Sequence, residues 1–180
     1  MQFNKTLLAV TILTVGGFAT ISSANADSTE STFGVETTID ASCTIDTTAA
    51  NISFSTIAAG TALQDASITD QKSGTGILVK CSKDAPYIIN LKAASNPDGT
   101  DGKGTMKGVL TDNTDTINYQ LNAKIEDAIT PWGNLETNGV TGTGAGVSTS
   151  ISHIVYATIE STTDVKEDTY KDVITASITY

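Results

Sequence analysis

The chain has no arginine, a single histidine and a single tryptophan, three prolines and two cysteines among its 180 residues. Each scarcity excludes something. Holding a phosphate backbone requires clustered Lys and Arg, whereas here ten lysines are scattered among 20 acidic residues, for a net charge of −10. Nucleic acid is therefore not an expected partner, and the acidity reads as a soluble surface. A Ser-His-Asp or Cys-His set would have to recruit His153, which sits in a strand-like stretch, and no Gly-x-Ser-x-Gly elbow is present. One histidine and two cysteines supply no zinc ligand set. The Asp-rich stretch "NPDGTDGKG" fails the spacing of a calcium loop, because Thr100 stands at the third ligand position, Asp101 replaces the required glycine and Lys107 takes the bidentate position. "GVTGTGAG" resembles a dinucleotide fingerprint, but a strand, not a helix, is expected after it, so a loop between strands is the better reading. The expectation is a protein that is not an enzyme and has no metal or cofactor.

Long apolar runs are also rare, and the one present lies at the start. Lys5 precedes an apolar run over residues 7–21, short for a membrane span and followed by Ala24-Asn25-Ala26, a small-residue cleavage pattern. Residues 1–26 are thus predicted to be a secretory signal peptide. Its removal leaves 154 residues, enough for one domain with an ordinary core, and with Lys5 gone the net charge moves from −10 to −11. Export makes the cysteines informative. Thiols in an oxidising compartment pair when geometry allows, and Cys43 in "ASCTI" and Cys81 in "ILVKCS" both occupy strand-like stretches, so a bridge joining two strands is expected.

What is plentiful is alternation. Apolar and polar residues exchange places with period two, with turn formers between the runs, and no helical stripe longer than a turn or two appears. The reading is all-β, a single-domain sandwich. Strands are expected in "NISFSTI", "GILVKCS", "PYIINLKAA", "GTMKGVLT" and "TINYQLNAK", a single helical turn can be accommodated in the polar stretch 60–76, and a long strand over residues 147–160 should kink near His153. The final stretch "DTYKDVITASITY" is the best patterned of all, with Ile174, Ala176, Ile178 and Tyr180 on one face and Thr175, Ser177 and Thr179 on the other.

Four fragments in order and at similar spacing, "ASCTI", "INYQL" followed by "PWGN", "VYATI" and the closing "YKDVITASITY", together with Cys43, Cys81, Trp132-Gly133, Tyr170, Asp172 and Tyr180, resemble the spore coat protein U domain, the subunit fold of archaic (Csu-type) chaperone-usher pili. Asp168 and Ala157 depart from the pattern, standing where glycines are common in that family. The resemblance implies an immunoglobulin-like β-sandwich lacking its last strand, so that the final strand lines an open apolar groove. It also implies the partners: a periplasmic chaperone that lends a strand, an outer-membrane usher, and other pilin subunits, whose N-terminal extension replaces the chaperone's strand in a homopolymer. Localisation would be secretion through the periplasm to the cell surface, and the cellular roles adhesion and biofilm formation.

Both halves of such a device are legible in the residues themselves. The segment over residues 27–41, ahead of the first cysteine, places Phe33, Val35, Thr37 and Ile39 on one face and reads as a donor strand, with Thr37 a polar interruption. Residues 42–180 would form the pilin domain, its acceptor groove walled by Ile174, Ala176, Ile178 and Tyr180 on one side and by Ile45 on the other. The competing reading takes residues 27–41 as the ordinary first strand of a complete sandwich, which would make the protein a secreted, self-sufficient binding, coat or matrix module.

Overall fold

Alternation of the kind seen in "PYIINLKA" and "ILVKC" places every second side chain on a common face, and in the folded chain those faces meet. A computed structural model describes residues 27–180; the predicted signal peptide over residues 1–26 lies outside the described residues. Among the described residues all regular elements are β-strands: β1 (Cys43–Asp46), β2 (Gln71–Lys72), β3 (Ile77–Cys81), β4 (Pro86–Ala93), β5 (Lys103–Gly108), β6 (Thr116–Ile125), β7 (Ala128–Pro131), β8 (Val140–Thr143), β9 (Ile151–His153), β10 (Tyr156–Ile159), β11 (Tyr170–Lys171) and β12 (Ile174–Thr179). All pairings are antiparallel, in sheets ordered β1-β3-β9, β11-β5-β6-β10-β2 with β7 also on β6, and β12-β4-β8.

The core is the meeting of three inward faces. Tyr87, Ile89 and Leu91 of β4 pack with Ile77 and Val79 of β3 and with Tyr119 and Leu121 of β6, all buried in one cluster. A smaller cluster of Ile68, Ile117 and Ile159 lies beside it. Trp132, 1% exposed, ties the layers together: its backbone N–H donates to the Leu121 carbonyl, its indole Nε1 donates to the Ile89 carbonyl at 2.8 Å, and the neighbouring Gly133 carbonyl accepts from the Leu91 N–H. A fully buried indole needs such a partner, which accounts for the "PWGN" stretch lying between the two layers.

The strands expected over "GILVKCS", "PYIINLKAA", "GTMKGVLT" and "TINYQLNAK" correspond to β3, β4, β5 and β6. The long strand expected over residues 147–160 is two shorter ones, β9 and β10, interrupted after His153, and its first residues form a turn. Three expectations are corrected. No helix forms in the stretch 60–76, which holds turns and the two-residue β2. The glycine and threonine stretch expected to be a loop carries β8, paired with Pro86–Ile89 of β4; a Cβ at Gly142 would lie 2.3 Å from the Tyr87 ring, so this strand needs a glycine to sit against the aromatic. "NISFSTI" keeps its alternation, with Ile52 and Phe54 packed on the core, but belongs to no strand. Alternation reports a half-buried face, not a hydrogen-bonding partner.

Candidate functional site

The site begins with two strands that each have a partner on one side only. β1 pairs with β3, and β12 pairs with β4; neither has a second partner among the described residues, and the two lie beside each other at the sandwich edge. An unpaired edge presents a row of free N–H and C=O groups, a template for another strand. Where β1 runs on into residues 47–54 and β12 begins, the edges part over an open groove of about 570 Å³. Ile52 and Phe54 stand on one side, Ile174 and Ala176 on the other, and the floor is apolar, with Ile77, Leu91, Leu121, Val155 and Ala157. These floor side chains belong to the core itself, so the groove is an opening into the centre of the sandwich rather than a surface furrow.

One end of the groove is polar and tightly tied. Tyr119, also lining it, donates its hydroxyl to the Asp172 carboxylate at 2.7 Å; the Ser95 hydroxyl donates to the same carboxylate oxygen, and the Thr105 N–H donates to Ser95 Oγ at 2.8 Å. Burial, reinforced by the bond to Asp172, pushes the Tyr119 phenol well above its ordinary range, so it remains a donor. The network fixes the entry of β12 to β5 and β6, and a Cβ at Gly104 would lie 2.2 Å from the Tyr119 hydroxyl, so only glycine leaves it room. Asp168, one of the departures noted from the sequence, is hydrogen-bonded to the Leu110 N–H and to Asn113 Nδ2, which closes the loop ahead of β11.

The sequence-predicted residues distribute unevenly around this groove. Ile174 and Ala176 line it. Ile45 and Ile178 are half-buried against the core and are not among its lining residues, and Tyr180 borders a second hollow with Pro86, Tyr87 and Thr141. Ile52, Phe54, Met106 and Tyr119 line the groove without having been singled out in the sequence. Cys43 and Cys81 form a disulfide with Cα atoms 4.1 Å apart, and they are directly opposed in the β1–β3 register. The bridge therefore pins the edge strand β1 to the core. His153 accepts or donates a 2.8 Å bond with the Tyr87 hydroxyl across two sheets, and burial holds its pKa below the ordinary value of 6.5. That is a structural partnership: neither ring is among the residues lining the groove.

Residues 27–42 contain no regular element, and Phe33, Val35 and Ile39 are 89%, 90% and 88% exposed. These three large apolar side chains stand at alternate or near-alternate positions of one segment and are all exposed.

Fold and groove together define an antiparallel β-sandwich whose core is open to solvent between two unpaired strand edges. The family follows from the sequence match: residues 29–177 match the Spore Coat Protein U domain, and the chain belongs to that family. Among solved structures it is similar to a chain of the CsuC-CsuE chaperone–tip adhesion subunit pre-assembly complex from the archaic chaperone-usher Csu pili of Acinetobacter baumannii, at 16% identity and a TM-score of 0.47, over 79% of this chain and 40% of that one. The chain thus spans less than half the length of that solved chain. No curated protein matches it significantly in sequence.

Proposed function

We propose that the protein is a structural subunit of a chaperone-usher pilus, polymerising by donor-strand complementation. The observation that carries this reading is the coincidence, in one chain, of an apolar groove between two unpaired strand edges and an exposed segment whose apolar residues alternate with period two. Residues 27–41 of one copy are assigned to the groove of the next, where Phe33, Val35 and Ile39 exchange water for the groove floor while the backbone adds a strand beside β12. Burying the three gives a gross stabilisation of about 5–9 kcal/mol, comparable with the net stability of a whole domain of about 5–15 kcal/mol. Before assembly the same groove would take a strand from a periplasmic chaperone, and an outer-membrane usher would pass the subunit to the cell surface; adhesion and biofilm formation are the cellular roles that fit such a fibre. Thr37, in the middle of the segment, is its polar interruption.

The reading is tested by deletion. The secreted chain is expected to form linear oligomers that dissociate on heating in detergent, whereas the chain lacking residues 27–40 should occupy one end of an oligomer but never extend it. Light scattering and electrophoresis without boiling read both. Linear growth by the truncated chain would remove residues 27–41 from the donor role, and a stable, strictly monomeric full-length protein would favour the self-sufficient secreted module.

A further inference from the structure

Met106 is the one methionine among residues 27–180, and both cysteines are committed to the disulfide, so its thioether is the only readily oxidised sulfur in the described chain. Met106 lines the groove, is only partly buried, and packs against both apolar clusters, with Ile117 as its partner across β5 and β6. A thioether fills irregular gaps between packed groups, and this one sits at the junction of the two clusters. Of the two tyrosine hydroxyls on the groove lining, that of Tyr119 donates to Asp172 and that of Tyr170 to the Lys166 carbonyl.

We propose that Met106 is an oxidation site gated by the strand that fills the groove. This rests on the functional reading above, in which residues 27–41 of a second copy are the occupant. The oxidant is a peroxide, with hydrogen peroxide as the simplest member. The sulfur lone pair attacks one peroxide oxygen, the O–O bond breaks, and the departing hydroxide takes up the hydroxyl proton to leave as water; sulfur is oxidised to the sulfoxide and the peroxide is reduced. The product is a polar, chiral group on an apolar floor. An incoming strand would bury its oxygen without a donor, which opposes binding. Empty grooves are open to the reagent and become unable to accept a strand; filled grooves are shielded. An extracytoplasmic oxidant would therefore remove subunits that hold neither a chaperone's strand nor a neighbour's, while sparing chaperone-bound subunits and the finished fibre.

The test uses the secreted chain and a synthetic peptide of residues 31–41. Hydrogen peroxide should add one oxygen to Met106, located by peptide mapping, and saturating peptide should slow that addition by about tenfold or more. The oxidised chain should bind the peptide at least about tenfold more weakly. In a Met106→Leu chain, nearly equal in volume, peroxide should leave the affinity for the peptide at the value that same chain has before treatment. Equal oxidation rates with and without peptide, or unchanged affinity after complete oxidation, would overturn the proposal while leaving the groove reading intact. Failure of the peptide to bind the untreated chain would bring down both.

Discussion

A chain lacking residues 27–40 and carrying a copy of residues 33–41 after Tyr180, joined by a flexible Gly and Ser linker, is expected to be monomeric, unable to polymerise, and to melt roughly 10–20 °C above the unmodified monomer of residues 27–180. The copy would lie antiparallel to β12, adding a ladder along its free edge and closing the floor formed by Leu91, Leu121 and Val155. The size of the effect follows from the gross burial of about 5–9 kcal/mol for the three large apolar side chains, reduced by the cost of ordering the segment. Because the donor is covalently attached, its effective concentration no longer depends on that of the protein. Thermal denaturation of both chains at equal concentration, with light scattering for size, measures it. Equal melting temperatures for the two monomers would mean that the sandwich gains nothing from a further strand.

The second large effect concerns the disulfide. Replacing Cys43 and Cys81 together by alanine is expected to lower stability by about 4 kcal/mol, from the loop entropy released when a closure spanning a sequence separation of 38 is lost. For a chain of this size that corresponds to a fall in melting temperature of roughly 10–15 °C. The bridge joins opposed residues of β1 and β3, and β1 has no other strand partner among the described residues. Its loss should therefore loosen the groove's β1 side before the core, so that affinity for the residue 31–41 peptide falls along with stability. A melting temperature lowered by less than about 3 °C would show that the β1–β3 ladder holds this edge without the bridge.

How much of this was legible in the sequence depends on what each signal reports. Period two located β3, β4, β5, β6 and β12; the alternation is the trace of one-sided burial, full in β3 and β4 and only partial in β12, where Ala176 and Ile178 are half-buried. It could not tell a paired strand from an unpaired one, and residues 51–57 show why: Ile52 and Phe54 alternate as a strand should, yet the segment runs along the groove and belongs to no strand. The short β7 and β8 were invisible for the opposite reason. Their burial patterns, eeie and ieie among glycine, threonine and alanine, leave little apolar contrast, and β8 exists because Gly142 fits against Tyr87. The disulfide followed from export and strand context, and it is present. The groove's floor required the assembled layers: Met106 and Tyr119 sit on strands read correctly from sequence, but that their side chains border an opening is a property of which neighbours stand beside them. Ile174 and Ala176 could be placed on the inner face from alternation alone; that Ile178 packs further along on the core, outside the groove lining, could not.

The central claim is that the free edge of β12 accepts a strand through its backbone, and amide hydrogen exchange along Ile174–Thr179 reads that edge directly. In the chain of residues 27–180 held monomeric at low concentration, the amides facing β4 should be protected and the alternate ones, facing the open edge, should exchange quickly. Saturating peptide of residues 31–41 should protect those alternate amides, with little change in β8 on the far side of β4. Unchanged exchange at the alternate β12 amides, with the peptide demonstrably bound elsewhere on the molecule, would contradict strand addition at this edge.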